Sequence, residues 1–261
     1  MGKILSVGSF AQLATFGIVF VASAWMAISY TGIFMITGIA GCVGTVILWL
    51  LFPAFKDGTP QHKKLILRKR YWLYYALTFM GGARRQIFMV FAGFMLVEKF
   101  AFSLPEMAML AAANVFVMMI AAPLIGTWIV KIGERAILSI EYIGLAIVFA
   151  AYAFVETWQI AVALYLLDHA LFSMAIAMKT YFQKIADPAD IAPTAGVAFT
   201  INHIAAVFIP ALFGLLWLVS PAAVFLAGSA MALCSLLLAR LIPLSPGDGN
   251  EVVWKIGSPA S

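Results

Sequence analysis

The chain has 261 residues, of which 64% are apolar and 10% are charged, and its mean hydropathy is +1.04. Soluble domains carry about 25% charged residues, so this composition excludes a water-soluble globular protein. The net charge of +5 does not indicate nucleic-acid binding, because the basic residues fall between long apolar stretches, where membrane topology explains them. We expect the lipid bilayer to be the main partner and expect no nucleic-acid partner.

Eight apolar stretches are long enough to cross a bilayer, which requires about 20 mostly apolar residues. The predicted spans are residues 8 to 29, 31 to 53, 71 to 97, 105 to 127, 136 to 155, 157 to 184, 193 to 217 and 221 to 242. Turn-forming residues such as Ser103, Pro188 and Pro221 separate them. The predicted fold class is all-α, a polytopic bundle of about eight transmembrane helices.

The distribution of Lys and Arg predicts the orientation, because positively charged loops stay cytoplasmic. With the N-terminus inside, the basic segment 56 to 70 is cytoplasmic and Lys99 is left outside. We predict a multi-pass protein of the cell (inner) membrane with both termini cytoplasmic. The expected organisation is two helices in 1–55, a basic linker in 56–70, a six-helix bundle in 71–242 and a cytoplasmic tail in 243–261, flexible from Ser245 onward.

A short motif lies between the fourth and fifth predicted spans, with Gly126, Lys131, Gly133 and Arg135 at characteristic spacing. It resembles the loop motif G-x-x-x-D-[RK]-x-G-[RK]-[RK] of the major facilitator superfamily, although Val130 replaces the usual Asp. The resemblance implies that these four residues form a gating loop. The alternative is a tight basic loop with no further role.

The resemblance also implies the arrangement of the spans. Spans three to eight correspond to the second six-helix bundle of the family, and spans one and two to the last two helices of the first bundle. The usual twelve helices then imply about four more before Met1, or a partner chain that supplies them. Members of this family are secondary transporters whose cavity lies between two bundles.

Polar residues fall near mid-membrane in three predicted spans, where ionisable groups are costly and usually face a cavity or a partner. They are Arg84 and Arg85, Asp168 and His169, and Asn202 and His203. Adjacent helical residues point about 100° apart, and the polar stripe through Tyr75 and Thr78 selects Arg85 as the cavity residue. Asn114, in the fourth predicted span, is a further candidate for substrate contact.

These residues predict a substrate site made of Arg85, Arg84, Asp168, Asn202 and Asn114. The guanidinium of Arg85 would attract an anionic solute, with Asp168 as its counter-charge in the empty site. His169, His203 and Asp168 are the candidates for proton coupling. The alternatives are ion pairs that hold the helices together and structural hydrogen bonds for the histidines. Glu141 is expected to pair with Lys131 and Arg135.

The leading functional hypothesis is a secondary active transporter, or a large part of one, that moves a small, anionic solute with protons. The alternative is a non-transporting receptor or assembly subunit that keeps part of the transporter fold. An enzyme is not expected, because His62, His169 and His203 lack the clustered spacing of a metal site and no phosphate-binding loop is present. We expect no metal and no cofactor.

Overall fold

A computed structural model of the protein describes residues 30–51 and 65–253, together with Gly8, Ile18 and residues 10–15 of a preceding helix. These described residues are helical apart from turns, and they include no strand beyond an isolated bridge between Gly247 and Asn250. Most of the first predicted span, residues 56–64 of the basic linker and the tail beyond residue 253 lie outside the described part.

Nine α-helices are labelled here in chain order. Helix α1 is Tyr30–Leu51, α2 is Trp72–Ile87, α3 is Gly93–Glu98, α4 is Leu104–Ile132 and α5 is Glu134–Ala153. They are followed by α6 at Trp158–Phe172, α7 at Ile176–Ile185, α8 at Ile191–Val219 and α9 at Pro221–Ala239. A π-helical turn, Phe88–Ala92, joins α2 to α3, and a 3-10 turn, Ser173–Ala175, joins α6 to α7.

Six helical segments within the described residues are long and apolar enough to cross a membrane. They are Phe34–Leu51, Met109–Ile132, Glu134–Ala153, Trp158–Ile185, Pro188–Val219 and Pro221–Ala239. The third predicted span corresponds to the continuous helical segment from α2 through α3, which the π turn interrupts and which carries Arg84 and Arg85. The architecture therefore fits a multi-pass helical membrane protein, with six of the eight predicted spans meeting this test.

Small residues allow the helices of the bundle to approach closely, as is typical of packing in membranes. A Cβ built on Gly228 of α9 would clash with the ring of Phe149 on α5, and one built on Gly82 of α2 would lie 2.5 Å from Oδ1 of Asn202 on α8. These contacts fix the α5–α9 and α2–α8 pairs. The second pair forms one side of the cavity described below.

The connection between α4 and α5 is shorter than the predicted spans implied, since those left residues 128–135 between them. Helix α4 continues through Lys131 to Ile132, α5 begins at Glu134, and Gly133 alone connects them at φ 83°. The apolar run around Ile129 sustains the helix, and a glycine tolerates the positive φ that ends it. The predicted gating loop is thus the last turns of α4, a one-residue link and the start of α5. Glu134, at that start, forms a 2.7 Å ion pair with Lys184 of α7.

The chain after α9 folds back onto the bundle instead of forming a free tail from Ser245, as expected from its composition. The Val253 amide donates to the Leu241 carbonyl at 2.8 Å, and the Tyr181 hydroxyl donates to the Glu251 carbonyl at 2.6 Å. Val252 is buried in the same cluster as Tyr181. The flexible-tail prediction is therefore wrong for residues 245–253, because these contacts lie far apart in sequence and leave no local pattern.

Candidate functional site

A cavity of about 800 Å³ opens among helices α2, α5, α7 and α8. Its polar lining comes from all four helices, and consists of Thr78, Arg84, Arg85 and Gln86 of α2, Glu141 of α5, Lys179 and Gln183 of α7, and Asn202 and His203 of α8. Aromatic side chains, among them Tyr74, Phe172 and Phe199, form much of the remaining wall. The size is that of a pocket for a small organic molecule.

Arg84 is the buried cation of this cavity, with 1% of its surface exposed. Its Nε donates to the Met80 carbonyl at 3.3 Å, and its guanidinium carbon lies 4.5 Å from the centroid of the Tyr142 ring. Among the described residues, Nη1 of Arg84 has no hydrogen-bond partner. A buried donor without a partner is costly, so a ligand acceptor that reaches Nη1 would bind favourably.

Arg85 lies on the more open side of α2 and is exposed to the cavity. Its guanidinium carbon lies 5.2 Å from the centroid of the Phe172 ring on α6. The two neighbouring arginines therefore have different environments. The Arg85 side chain is exposed in the cavity, whereas the Arg84 side chain is enclosed by protein and forms part of the cavity wall.

Glu141 has a different environment from the one its sequence neighbours suggested. Because α5 begins at Glu134, Glu141 lies about 10 Å farther along the helix axis, at about 1.5 Å per residue. It is 1% exposed, lines the cavity and interacts electrostatically with Arg84. The expected pairing with Lys131 and Arg135 is therefore wrong. Its Oε2 has no hydrogen-bond partner within the described part of the chain.

Asp168 lies behind the two arginines, outside the cavity lining. It is 4% exposed and interacts electrostatically with Arg84 first and with Arg85 second. The Nδ1 of neighbouring His169 lies 3.0 Å from the Tyr165 carbonyl oxygen, to which it donates in the tautomer that carries the proton on Nδ1, and the ring packs against Phe88. Asp168 is thus a buried carboxyl group within electrostatic range of the two arginines, whereas His169 lies in an aromatic setting and does not line the cavity.

Asn202 and His203 both line the cavity from α8. The His203 ring lies 3.9 Å from the Phe199 ring between centroids, and its Nδ1 lies 2.9 Å from the Phe199 carbonyl. Because Nδ1 faces that carbonyl, the other ring nitrogen of His203, Nε2, does not contact it in either tautomer. His203 is accordingly the predicted histidine that the structure places at the cavity.

The remaining predicted residues lie elsewhere. Asn114 of α4 is buried, and its Oδ1 has no hydrogen-bond partner among the described residues, but it does not line this cavity. Gly126, Lys131, Gly133 and Arg135 lie at the α4–α5 connection, also outside the cavity lining.

Two charged residues of the cavity were not predicted as site residues, namely Glu141 and Lys179. Lys179 shares a helical stripe with Asp168, which was the available signal in the sequence. Among the described residues, no group of three or more His, Cys, Asp or Glu is arranged to hold a metal ion.

No protein-family model matches the chain, and no curated protein matches it.

Proposed function

We propose that the chain is a secondary active transporter of the major facilitator type, and that a small anionic solute binds in the cavity among α2, α5, α7 and α8. The observation that carries this proposal is the presence of Arg84, Arg85 and Lys179 around a cavity to which three segments of membrane-spanning length contribute, those that contain α5, α7 and α8. Cations at such depth are expensive and are characteristic of solute or ion pathways. The guanidinium groups suit a carboxylate or a similar anion.

The proposed topology has eight spans in the cell membrane with both termini cytoplasmic. It is supported by the basic residues at one end of the bundle. Arg68 donates to Asp190 at 2.7 Å, Arg70 pairs with Asp248 at 2.8 Å, and Lys184 pairs with Glu134, so Lys and Arg residues gather at this end while Lys99 lies at the other.

Proton coupling, where it occurs, is proposed to involve groups at or next to the cavity. His203 and Glu141 line it, and Asp168 lies behind Arg84. His169, which was an equal candidate from the sequence, contacts Phe88 and Tyr165 instead. A change of charge at His203 or Glu141 would alter the anion's surroundings directly, which is the requirement for linkage between proton and solute binding.

The test is solute uptake by purified protein in liposomes loaded with a pH-sensitive dye, with and without an imposed pH gradient. Lactate, gluconate and hippurate serve as anionic probes, and empty liposomes give the background. We expect protein-dependent uptake of at least one probe, its loss in Arg85→Gln and a strong reduction in Asp168→Asn. Arg240→Gln, which removes an exposed cation outside the cavity, is the matched control.

Uptake equal to the background for every probe would contradict the transporter proposal. Uptake that survives both the Arg85 and the Asp168 substitutions would show that the solute does not pass through this cavity. Binding without uptake would favour the receptor or assembly-subunit hypothesis.

A further inference from the structure

The chain after α9 contains a short folded segment, residues 245–253, which is named the clip. Backbone hydrogen bonds of 3.4 and 3.0 Å pair Gly247 with Asn250, and the side-chain amide of Asn250 donates to the Ser245 carbonyl at 2.8 Å. Glu251 and Val252 are buried, whereas the other residues of the clip are exposed or half-buried. Segments with few buried apolar contacts open at a low free-energy cost. The clip is therefore a folded unit that can leave the bundle while the helices remain formed.

The clip connects the start of α2 to α7. Nη1 of Arg70, two residues before α2, donates to Oδ1 of Asp248 at 2.8 Å and lies 3.7 Å from Oε1 of Glu251. The Tyr181 hydroxyl of α7 donates to the Glu251 carbonyl at 2.6 Å. Val252 belongs to the same buried hydrophobic cluster as Tyr181. Separation of α2 from α7 at this end would therefore break the contacts on one side of the clip.

The cavity ends at two aromatic rings beneath this connection. Tyr74 of α2 and Phe182 of α7 both line the cavity, and their rings stack with the centroids 4.3 Å apart. Tyr71, three residues before Tyr74, contacts Phe182 edge to face at 5.4 Å between ring centroids. Tyr71 and Ile185 are fully buried, and neither lines the cavity. Packed side chains thus close the cavity on the side of the clip.

The clip adds to this closure by binding both helices. Aromatic contacts such as the Tyr74–Phe182 pair are individually weak. Opening of the cavity at this end requires α2 and α7 to separate, which breaks either the Arg70 contacts or the Tyr181 hydrogen bond. Contacts that exist in only one of two conformations shift the equilibrium toward that conformation. The clip therefore favours the closed conformation.

We infer that the clip is a conformational device that keeps the cavity closed at the basic end of the bundle, and that its release opens the cavity to this side. The basic end is the one that carries Arg68, Arg70 and Lys184. The inference goes beyond the proposed function, because it holds for any occupant of the cavity. No residue of the clip lines the cavity, so the clip acts through α2 and α7.

The reactivity of a thiol placed in the cavity tests this inference. His203→Cys lies on α8, about 18 Å along the helix axis from Ile191 at about 1.5 Å per residue, and the native ring packs on Phe199 of the same helix. Cys42→Ser and Cys234→Ser remove the two native thiols. The full-length protein is then treated with sulfonatoethyl methanethiosulfonate, which does not cross membranes, and the rate of modification is measured.

The same reagent identifies the side of the membrane. Lys69 is exposed and lies at the basic end, next to Arg68 and Arg70. Intact cells and inverted membrane vesicles are both treated, and the preparation that modifies Lys69→Cys is the one that presents the basic end to the reagent. The cavity thiol is measured in that preparation. The test therefore does not depend on the proposed orientation.

Substitutions release the clip with little change in shape. Tyr181→Phe, Asp248→Asn and Glu251→Gln together remove the hydroxyl donor on α7 and both carboxylates that face the start of α2. Tyr75→Phe combined with Glu156→Gln, at positions outside the clip, is the matched control for the loss of a hydroxyl and a carboxylate. The elution volume in size-exclusion chromatography checks that each variant is folded.

Truncation releases the clip in a second, independent way. A chain that ends at Leu244 lacks the clip and everything after it. A chain that ends at Val253 keeps the clip and lacks only the residues that follow it, so it is the control for this truncation.

We expect modification of the cavity thiol from the basic end to be at least about tenfold faster in the triple variant and in the chain that ends at Leu244, as loss of the hydrogen bonds of the clip implies. Both controls should stay within about twofold of the native rate. An unchanged rate in either release variant would overturn the inference, as would an equal increase in a control. Modification of the cavity thiol behind an intact clip as fast as that of Lys69→Cys would also overturn it. The measurement uses no solute, so failure of the uptake assay would contradict transport and leave this result unaffected.

Discussion

The guanidinium carbon of Arg84 lies 4.5 Å from the centroid of the Tyr142 ring, and this contact joins α2 to α5 at the wall of the cavity. Tyr142 is itself almost completely buried, and the next residue, Glu141, supplies a carboxylate that interacts with Arg84. Arg84 therefore has a structural role as well as a place at the cavity. Arg85, one residue on, is exposed to the cavity and lacks this enclosure.

The first prediction separates the two arginines. Arg84→Gln should destabilise the protein by about 2 to 3 kcal/mol, because it removes a buried cation–π contact with Tyr142 and a hydrogen bond to the Met80 carbonyl. Arg85→Gln should cost about 1 kcal/mol or less, the value of an exposed cation–π contact with Phe172, while abolishing binding of an anionic probe. Unfolding curves of detergent-solubilised protein measure the first effect. Equal destabilisation by the two substitutions would contradict this division of roles.

The sequence predicted most of the helices because apolar length, prolines and polar turn residues are local signals. Pro221 marks the start of α9, for example, and the polar stripe through Tyr75 separates Arg85 from Arg84. The sequence did not predict that Glu141 lines the cavity. The one-residue link at Gly133 shifts the start of α5, and this shift changes the position along the bundle of every later residue of α5. The length of that link depends on how two helices pack.

Contacts between residues distant in sequence also escaped prediction. Asp190 accepts two hydrogen bonds from Arg68, at 2.7 and 3.0 Å, although 122 positions separate them. Each residue alone fits a solvated loop or a helix end. The cavity has the same origin, since Lys179 of α7, Asn202 of α8 and Glu141 of α5 line one space only after the bundle has formed.

The close contact between α5 and α9 gives the second prediction. A methyl group at position 228 would clash with the ring of Phe149, and a buried aromatic ring cannot move aside cheaply. Gly228→Ala should therefore cost about 1 to 3 kcal/mol of stability. Gly214→Ala in α8, where a built Cβ has nothing within 4 Å, should be neutral or stabilising by up to about 1 kcal/mol. Thermal denaturation of both variants checks this, and a melting temperature for Gly228→Ala at or above that of Gly214→Ala would refute it.

The third prediction concerns the hydroxyl of Tyr71, which holds together the chain before α2 and the turn before α8. It accepts from Arg70 at 2.6 Å and from the Asp187 amide at 3.0 Å, and it donates to Asp190 at 3.1 Å. Tyr71→Phe should lower the free energy of unfolding by about 1 to 3 kcal/mol, because it leaves buried polar groups without one of their hydrogen-bond partners.

Tyr75→Phe is the control for that substitution. The Tyr75 hydroxyl donates to the Ile66 carbonyl at a long 3.4 Å, and the side chain is half-buried, so its loss should stay within about 0.5 kcal/mol. Denaturant titration of the two variants gives the comparison. A smaller loss in Tyr71→Phe than in Tyr75→Phe would show that the hydrogen-bond cluster does not stabilise this end of the bundle.

The last prediction concerns pH and the start of α4, before its apolar membrane-spanning stretch. The Ser103 hydroxyl and the Ser103 amide, at 2.7 Å, both donate to the Glu106 carboxylate, and these hydrogen bonds lower the pKa of Glu106 from its ordinary value of 4.5. A lowered pKa in the folded state means that the contribution to stability is present above pH 4.5 and is lost as the pH falls through the folded-state pKa. We expect the ¹³C NMR titration midpoint of the Glu106 carboxyl group to rise in Ser103→Ala and to stay low in Ser103→Thr, which keeps the hydroxyl. The same midpoint in the native protein and in Ser103→Ala would show that the hydroxyl does not stabilise the ionised form of Glu106.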